Sequence, residues 1–243
     1  MRRLYVAVVH ALRRVLAAVG LLRVLDRAAQ CSRTALWVRS WLAIYDLDDL
    51  AALGVPWWTF EAIDEVELFL AERPGARTFE WGSGVSTLWL AAHGAQVTSI
   101  EHDRAWAERM APRLPESVTL HVVEPTPIDP DVGPEAAVPS GKAGFAGLDF
   151  ASYVAAVDAV PGDLDLVVID GRAREACLER VLGRLAPDGL VVFDDTERDR
   201  YAAAIRAHGA GLDVRWTRGR TPTIPYPCDT ALLRPARAPR PTP

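Results

Sequence analysis

Thr78-Phe79-Glu80-Trp81-Gly82-Ser83-Gly84-Val85-Ser86-Thr87 reads as a short apolar strand that ends in two glycines and runs directly into a helix. Glycine tolerates positive φ and lets the main chain approach a ligand closely. The free amides of a helix N-terminus favour an anionic or polar group. In a dinucleotide-binding turn those amides meet a pyrophosphate, and a third small residue is expected where Thr87 stands. Here an acid, Glu80, sits two residues before the first glycine. A carboxylate at that point repels pyrophosphate and suits a cationic or amino-bearing ligand.

The next strand carries the second feature, Val97-Thr98-Ser99-Ile100-Glu101-His102-Asp103. An acid at that strand's end, about 20 residues past the glycine turn, is placed to accept both hydroxyls of a ribose. Methionine-type and pyrophosphate-type nucleosides both need Glu101, so the choice between them rests on Glu80 and Thr87. His102 follows and is placed to touch the adenine.

Outward from this pair, short apolar strands alternate with helices. Strands are expected at Thr78–Trp81, Gln96–Ile100, Val118–Val123, Leu164–Ile169, Gly189–Phe193, Leu212–Trp216 and Ala231–Leu233, with helices at about 85–93, 103–112, 149–159, 172–185 and 196–208. This alternation predicts an α/β fold, a doubly wound Rossmann-like seven-stranded and mainly parallel sheet with helices on both faces. Helices precede it: one or two over residues 1–30 and more over 41–73, the last covering Thr59–Glu72. The division expected is a helical extension over 1–54, the cofactor-binding domain over 55–235 and a flexible tail over 236–243. Residues 124–149 hold five prolines and four glycines, which excludes a regular element. A loop of that length in a compact domain is expected to close over a site.

The third constellation is Val167-Val168-Ile169-Asp170-Gly171-Arg172-Ala173-Arg174 with Leu190-Val191-Val192-Phe193-Asp194-Asp195-Thr196-Glu197-Arg198. Both acid groups follow buried strands, so Asp170, Asp194 and Asp195 converge on the carboxyl edge of the sheet, where open α/β sheets bind ligands. Three such oxygens suit Mg²⁺. Alternatively Arg172, Arg174 and Arg198 neutralise the acids, leaving Asp170 or Asp194 as general base or the acids as anchors for substrate hydroxyls. Arg198 and Tyr201, one helical turn apart, either face the substrate or pack. No G-x-S-x-G elbow and no Walker A motif occurs.

Composition narrows the classes. Of 243 residues half are apolar and 24% charged, as in an ordinary globular protein, and the net charge of −5 offers no basic field for nucleic acid. Cys31, Cys177 and Cys228 form no C-x-x-C pair, which argues against a disulfide framework or zinc site and for a reducing cytoplasm. Met1-Arg2-Arg3 with Leu4–Leu12 looks like the start of a signal peptide, but Arg13-Arg14 interrupts the apolar run, and a spanning helix needs about 20 apolar residues. Up to residue 40 there are eight arginines against one acid, Asp26. The segment is expected either to pack on the domain with its arginines solvated or to lie on anionic lipid, giving peripheral membrane contact through residues 1–30.

The glycine turn Glu80-x-Gly82-x-Gly84 and the acid Glu101 resemble the class I S-adenosylmethionine-dependent methyltransferases. Phe79–Trp89, Ile100-Glu101-His102-Asp103-x-x-Trp106 and Pro56-Trp57-Trp58-Thr59-Phe60-x-Ala62-Ile63 look more narrowly like a bacterial subgroup often found near surface-polysaccharide and secondary-metabolite genes. The resemblance spans about residues 55–235. It implies that Glu80, Trp81, Gly82, Ser83, Gly84, Ser86 and Thr87 hold the methionine part of S-adenosylmethionine. Glu101 would hold its ribose, with His102 and Asp170 also at the cofactor. The aspartate layout is similar to catechol-type O-methyltransferases, where an acid and an acid–amide pair hold magnesium; here Asp195 stands at the amide position. The implied catalytic set is Asp170, Asp194, Asp195 and Arg172, acting on a hydroxyl of a sugar or small natural product. Trp57 and Trp58 either line an entrance or pack in the core, and the sequence leaves the oligomeric state open, a homodimer included. Two competing readings stand beside this one: a nicotinamide-dependent oxidoreductase, and a degenerate methyltransferase fold serving as a binding or scaffold protein, at a membrane through residues 1–30.

Overall fold

The structure, a computed structural model, describes residues 2–44, 46–131, 133, 135, 137–208 and 211–236. Apart from Ala236, the tail expected at 236–243 lies outside the described residues. The domain is built on strands β1 (Arg77–Trp81), β2 (Gln96–Glu101), β3 (Val118–Val122), β6 (Leu164–Ile169), β7 (Leu185–Asp194), β8 (Leu212–Thr221) and β9 (Ile224–Pro235). They form one seven-stranded sheet in the order β3-β2-β1-β6-β7-β9-β8. The first five are parallel, whereas β9 runs antiparallel to both β7 and β8. The expected doubly wound, Rossmann-like and mainly parallel sheet is therefore the observed one.

The central strands are continuous apolar runs because both of their faces are covered, as parallel sheets require. Along β6, Val167 and Ile169 enter one core with Phe79, Trp81, Phe150, Val191 and Phe193. Leu166 and Val168 enter the opposite core with Leu190, Val192, Ile63, Phe69, Trp58 and Trp89. Trp58 is fully buried and meets Trp89 edge to face at 5.9 Å, so it packs rather than lining an entrance. Trp57 is half-buried against a third, smaller cluster around Leu47, Leu50, Val85 and Met110.

Helices α1 (Arg2–Ala18), α2 (Leu21–Cys31), α3 (Arg33–Trp41), α4 (Leu47–Leu53) and α5 (Phe60–Ala71) come first. Gly20, at φ 78°, separates the first two. The expected Thr59–Glu72 helix is α5, with Thr59 capping it by accepting from the Ala62 amide. Within the sheet region, α6 (Val85–Ala92), α7 (Arg104–Met110), α8 (Ala151–Ala155), α9 (Arg174–Val181) and α10 (Asp199–Ala207) follow, several shorter than expected because 3₁₀ turns replace their ends. Strands β8 and β9 are longer than the apolar runs at Leu212–Trp216 and Ala231–Leu233. Arginines, threonines and Pro225 and Pro227 hide the extension of this hairpin, whose far end docks on α3. There the Trp37 indole donates to the Ile224 carbonyl at 2.9 Å and the Thr223 amide to Ser40 Oγ at 2.7 Å. The loop at 124–149 contains a two-residue antiparallel ladder, β4 (Thr126–Pro127) with β5 (Leu148–Asp149), where no regular element was expected.

Candidate active site

The glycine turn leaves β1 between two neighbours that force its sequence. Gly82 has φ 97°, and a Cβ there would lie 2.8 Å from the Cα of Gly171 at the end of β6. Any side chain would therefore meet main chain as well as strain. Beneath the turn the Glu80 carboxylate is fully buried and accepts hydrogen bonds from the hydroxyls of Ser86, Thr87 and Ser99. Burial pushes its pKa up to about 7, against the pull of those three hydroxyls. Ser99 is the β2 residue paired with Glu80 in the strand register, and so completes a cage that sequence spacing alone does not reveal.

The side chains of Glu80, Ser86 and Thr87 thus brace the turn from below. Thr87 also accepts from the Gly84 amide at 2.9 Å, fixing the helix start. The Trp81 side chain turns inward. Its ring is fully buried against Phe79 at 4.6 Å, and its indole donates to the Tyr153 carbonyl at 2.9 Å.

Glu101 lies where expected, at the end of β2 beside Ser83. One carboxylate oxygen accepts from the Ser83 amide and hydroxyl, both at 3.0 Å. The other accepts from the His102 and Asp103 amides at 2.8 and 2.9 Å. Burial pushes its pKa up, but the bonds from His102, Asp103 and Ser83 outweigh it and hold the group below its usual value. The Trp106 indole donates to the Ser83 carbonyl at 2.8 Å and ties α7 to the same turn. The two residues after Glu101, His102 and Asp103, line a cavity of about 540 Å³ together with Arg104, Glu108, Glu124 and Phe145. Its size is that of a small-molecule site. His102 flanks it with its ring 5.3 Å from Phe145.

At the ends of β6 and β7, oxygens of Asp170, Asp194 and Asp195 lie within 4.8 Å of one another. That spacing would suit a metal, but the Arg174 guanidinium is already there. It reaches Asp170 Oδ1 and Asp195 Oδ2 at 2.8 Å each, and the Asp194 and Gly171 carbonyls at 2.6 and 3.2 Å. Arg174 is buried, and the three aspartates raise its pKa although burial opposes them. Arg198 adds a second ion pair to Asp195 at 3.0 Å. Asp194 is buried, with Oδ1 accepting from Thr230 Oγ1 at 2.8 Å, and burial and its neighbouring acids push its pKa well up. The cluster therefore does not fit Mg²⁺: its charge is compensated by an arginine fork, and binding an ion would require expelling a buried guanidinium.

Asp170 is half-buried, and burial is the main cause that raises its pKa. Asp195 adopts φ 62°, and Ala173, just before Arg174, adopts φ 48°. Two non-glycine residues in this conformation at one site mark local strain. Arg172 does not join the acids by an ion pair. Its Nε lies 3.4 Å from His102 Nε2 and its guanidinium 5.5 Å from the Phe145 ring, on the cavity side. Tyr201 is buried beneath Arg174, Arg198 and Arg200, so it packs and does not face outward. Arg174 is the residue underrated from sequence; its place as third in a row of charged residues after β6 carries no sign that it alone turns inward.

The 124–149 loop lies across these elements. Phe145 covers His102, the Arg200 guanidinium donates to the Gly141 carbonyl at 3.0 Å, and Val138 is held by Asp149 Oδ1 at 2.9 Å. Lys142 lies close enough to Arg172, Arg198 and Arg174 that, after burial, their charges lower its pKa.

Residues 79–196 match the family described as "Methyltransferase domain". Among curated proteins no sequence matches. The O-methyltransferase TomG of Streptomyces achromogenes, involved in tomaymycin synthesis and solved in complex with SAM, aligns with a TM-score of 0.53 at 20% identity, over 88% of this chain and 89% of that one. Cofactor-bound Rv0187 from MTB aligns with a TM-score of 0.52 at 18% identity, over 81% of this chain and 90% of that one. What these likenesses show is the fold, a Rossmann-like one shared with TomG.

Proposed function

We propose that the chain is an S-adenosylmethionine-dependent methyltransferase that methylates a hydroxyl oxygen of a small molecule, a sugar or natural product. The observation that carries this reading is the bond from the Ser83 amide to Glu101. A pyrophosphate-binding turn would present that amide to a phosphate; here it is spent on a carboxylate. Glu101 is held ionised at the turn, and the Ser83 hydroxyl bonded to it can give way to a ribose hydroxyl at the same oxygen, which favours a nucleoside without a diphosphate bridge. The methyltransferase-domain match over residues 79–196 and the SAM complex of TomG support the same cofactor.

When bound, S-adenosylmethionine supplies an activated methyl group on a sulfonium, so the protein's work is positioning and proton removal. Gly82 and Gly84 let the main chain approach the methionine part, Glu101 and Ser83 hold the ribose, and His102 and Phe145 flank the adenine. Asp170 is the half-buried member of the aspartate cluster, and its raised pKa brings it towards the range where a general base works at neutral pH. It takes the acceptor's hydroxyl proton as that oxygen forms its bond to the methyl carbon and the carbon–sulfur bond breaks. Arg174 keeps Asp170 aimed, and Arg172 and Lys142 favour the developing alkoxide. No metal takes part in this sequence.

Isothermal calorimetry with S-adenosylhomocysteine and with NADH tests the reading directly. Micromolar binding of the first and none of the second is expected. Binding of NADH alone would establish the oxidoreductase reading instead, and binding of neither would leave a scaffold. Transfer of radiolabelled methyl to hydroxylated acceptors, abolished in Asp170→Asn with cofactor affinity retained, tests the base.

A further inference from the structure

Ten large apolar side chains are exposed among the described residues, and six of them fall in the first two helices and the turn that joins them: Val8, Leu12 and Val15 on α1, Val19 just after it, and Leu21 and Val24 on α2, each 50–62% exposed. The first four follow the i, i+4, i+7, i+11 spacing and make one stripe along α1 and onto the turn that ends it, where the Val19 amide still donates to the Val15 carbonyl. The opposite side of α1 is anchored. Val9 is buried, His10 Nε2 meets the Ile44 carbonyl at 3.1 Å, and Arg13 reaches Asp46 and Asp49, the latter at 2.9 Å. Those contacts fix the stripe outward. On α2 no side chain is buried, and Leu21 and Val24 stand exposed beside exposed Arg23 and Arg27.

The charges around the stripe are of one sign. Arg14, Arg23 and Arg27 are exposed and make no ion pair among the described residues. The one acid in the first 40 residues, Asp26, is taken by Arg39. A chain of net charge −5 thus presents, among the described residues, a cationic, aliphatic patch with no free carboxylate. Two copies meeting through this patch in a two-fold contact would set the same arginines against each other without an acid on either side. A phospholipid surface supplies both what the aliphatics need and what the arginines need. No helix of the described residues is long and apolar enough to cross a membrane, so the fit is to a surface.

We propose that α1 and α2 dock the protein on an anionic phospholipid bilayer. Val8, Leu12, Val15 and Val19 enter the boundary between headgroups and acyl chains, and Arg14, Arg23 and Arg27 pair with lipid phosphates. The test is co-sedimentation of the full chain with vesicles of phosphatidylglycerol mixed into phosphatidylcholine and with vesicles of phosphatidylcholine alone. Binding to the anionic vesicles, at least tenfold weaker to the neutral ones and released by salt, is expected. Arg23→Glu with Arg27→Glu should weaken binding by on the order of tenfold or more. Leu12→Glu with Val19→Glu should weaken it similarly, with circular dichroism unchanged because these positions are exposed. No sedimentation with anionic vesicles, or equal binding to both vesicle types, overturns the proposal. So does a dimer in light scattering that Leu12→Glu with Val19→Glu disperses, since the stripe would then belong to a second copy. The salt and lipid dependence of the unmodified chain decides the matter even if a variant fails to fold.

Discussion

The two halves of the candidate site handle buried charge in opposite ways. On the half proposed for the cofactor, Glu80 and Glu101 are compensated by hydroxyls and main-chain amides, each contributing a small share. On the half proposed for the acceptor, Asp170 and Asp195 share one buried guanidinium, Arg174, which also ties the ends of β6 and β7 together, and only Asp195 has a second partner, the exposed Arg198. A distributed cage tolerates the loss of any one donor. A single shared cation does not, because its removal leaves uncompensated charge in a region water reaches poorly.

Breaking the second half should therefore produce the largest effect. Arg174→Met is expected to lower stability by about 3–5 kcal/mol in urea denaturation, the range for removing one partner of a buried ion pair. Adding Asp170→Asn and Asp195→Asn to that variant should recover much of the loss, since the penalty lies in the orphaned charges. Magnesium should not rescue Arg174→Met or raise the melting temperature of the unmodified protein. A magnesium-dependent rise would show that the aspartates take an ion in place of the arginine.

The cofactor half should show its charge through pH. Glu80 titrates near 4.5 in the unfolded chain and at about 7 when folded, so the folded state holds an extra proton between those values. Stability must then fall as pH rises through that window, by up to roughly 3 kcal/mol. Glu80→Gln, which mimics the protonated form, should flatten the decline while leaving stability at mildly acidic pH close to the parent's. A pH profile unchanged by the substitution would mean that the three hydroxyls stabilise the carboxylate enough to cancel its burial.

The same contrast explains what could be read in the sequence. Glu80, Gly82, Ser83, Gly84 and Glu101 lie within 22 residues on consecutive elements, so their spacing carries their geometry. The seven strands were legible because β6 and β7 are buried on both faces and write continuous apolar runs. What was not legible depends on direction or on distant partners. Trp81 alternates into the core instead of toward the turn, and Ser99 finds Glu80 only through strand register. Among Arg172, Arg174 and Arg198, sequence could not say which one turns inward; packing of α9 against the strand ends decides it. Thr230, which holds Asp194, comes from a strand whose extent polar residues concealed.

A smaller effect is expected from Glu101→Gln. One carboxylate oxygen becomes an amide that cannot accept, so the turn or the ribose loses a bond to a charged group. Affinity for S-adenosylhomocysteine in calorimetry should fall by about tenfold to a hundredfold. Because the other donors can shift to the remaining oxygen, the fold should persist, unlike that of Arg174→Met.

The smallest effect on stability belongs to Arg200→Ala, yet this change tests whether the two halves act together. Arg200 is partly exposed, and its contact with the Gly141 carbonyl holds the 124–149 loop to α10 on the acceptor side. The same loop covers the cofactor side through Phe145. Surface substitutions of this kind change stability by no more than about 0.5 kcal/mol, so denaturation should barely register it. Hydrogen exchange of the loop amides around Gly141 should nevertheless quicken, and the acceptor KM should rise more than the cofactor's. An equal change in both would mean that the loop closes as one rigid flap hinged at its ends. An exclusive change in the acceptor's would locate the latch at Arg200 and leave Phe145 to hold the cofactor by itself.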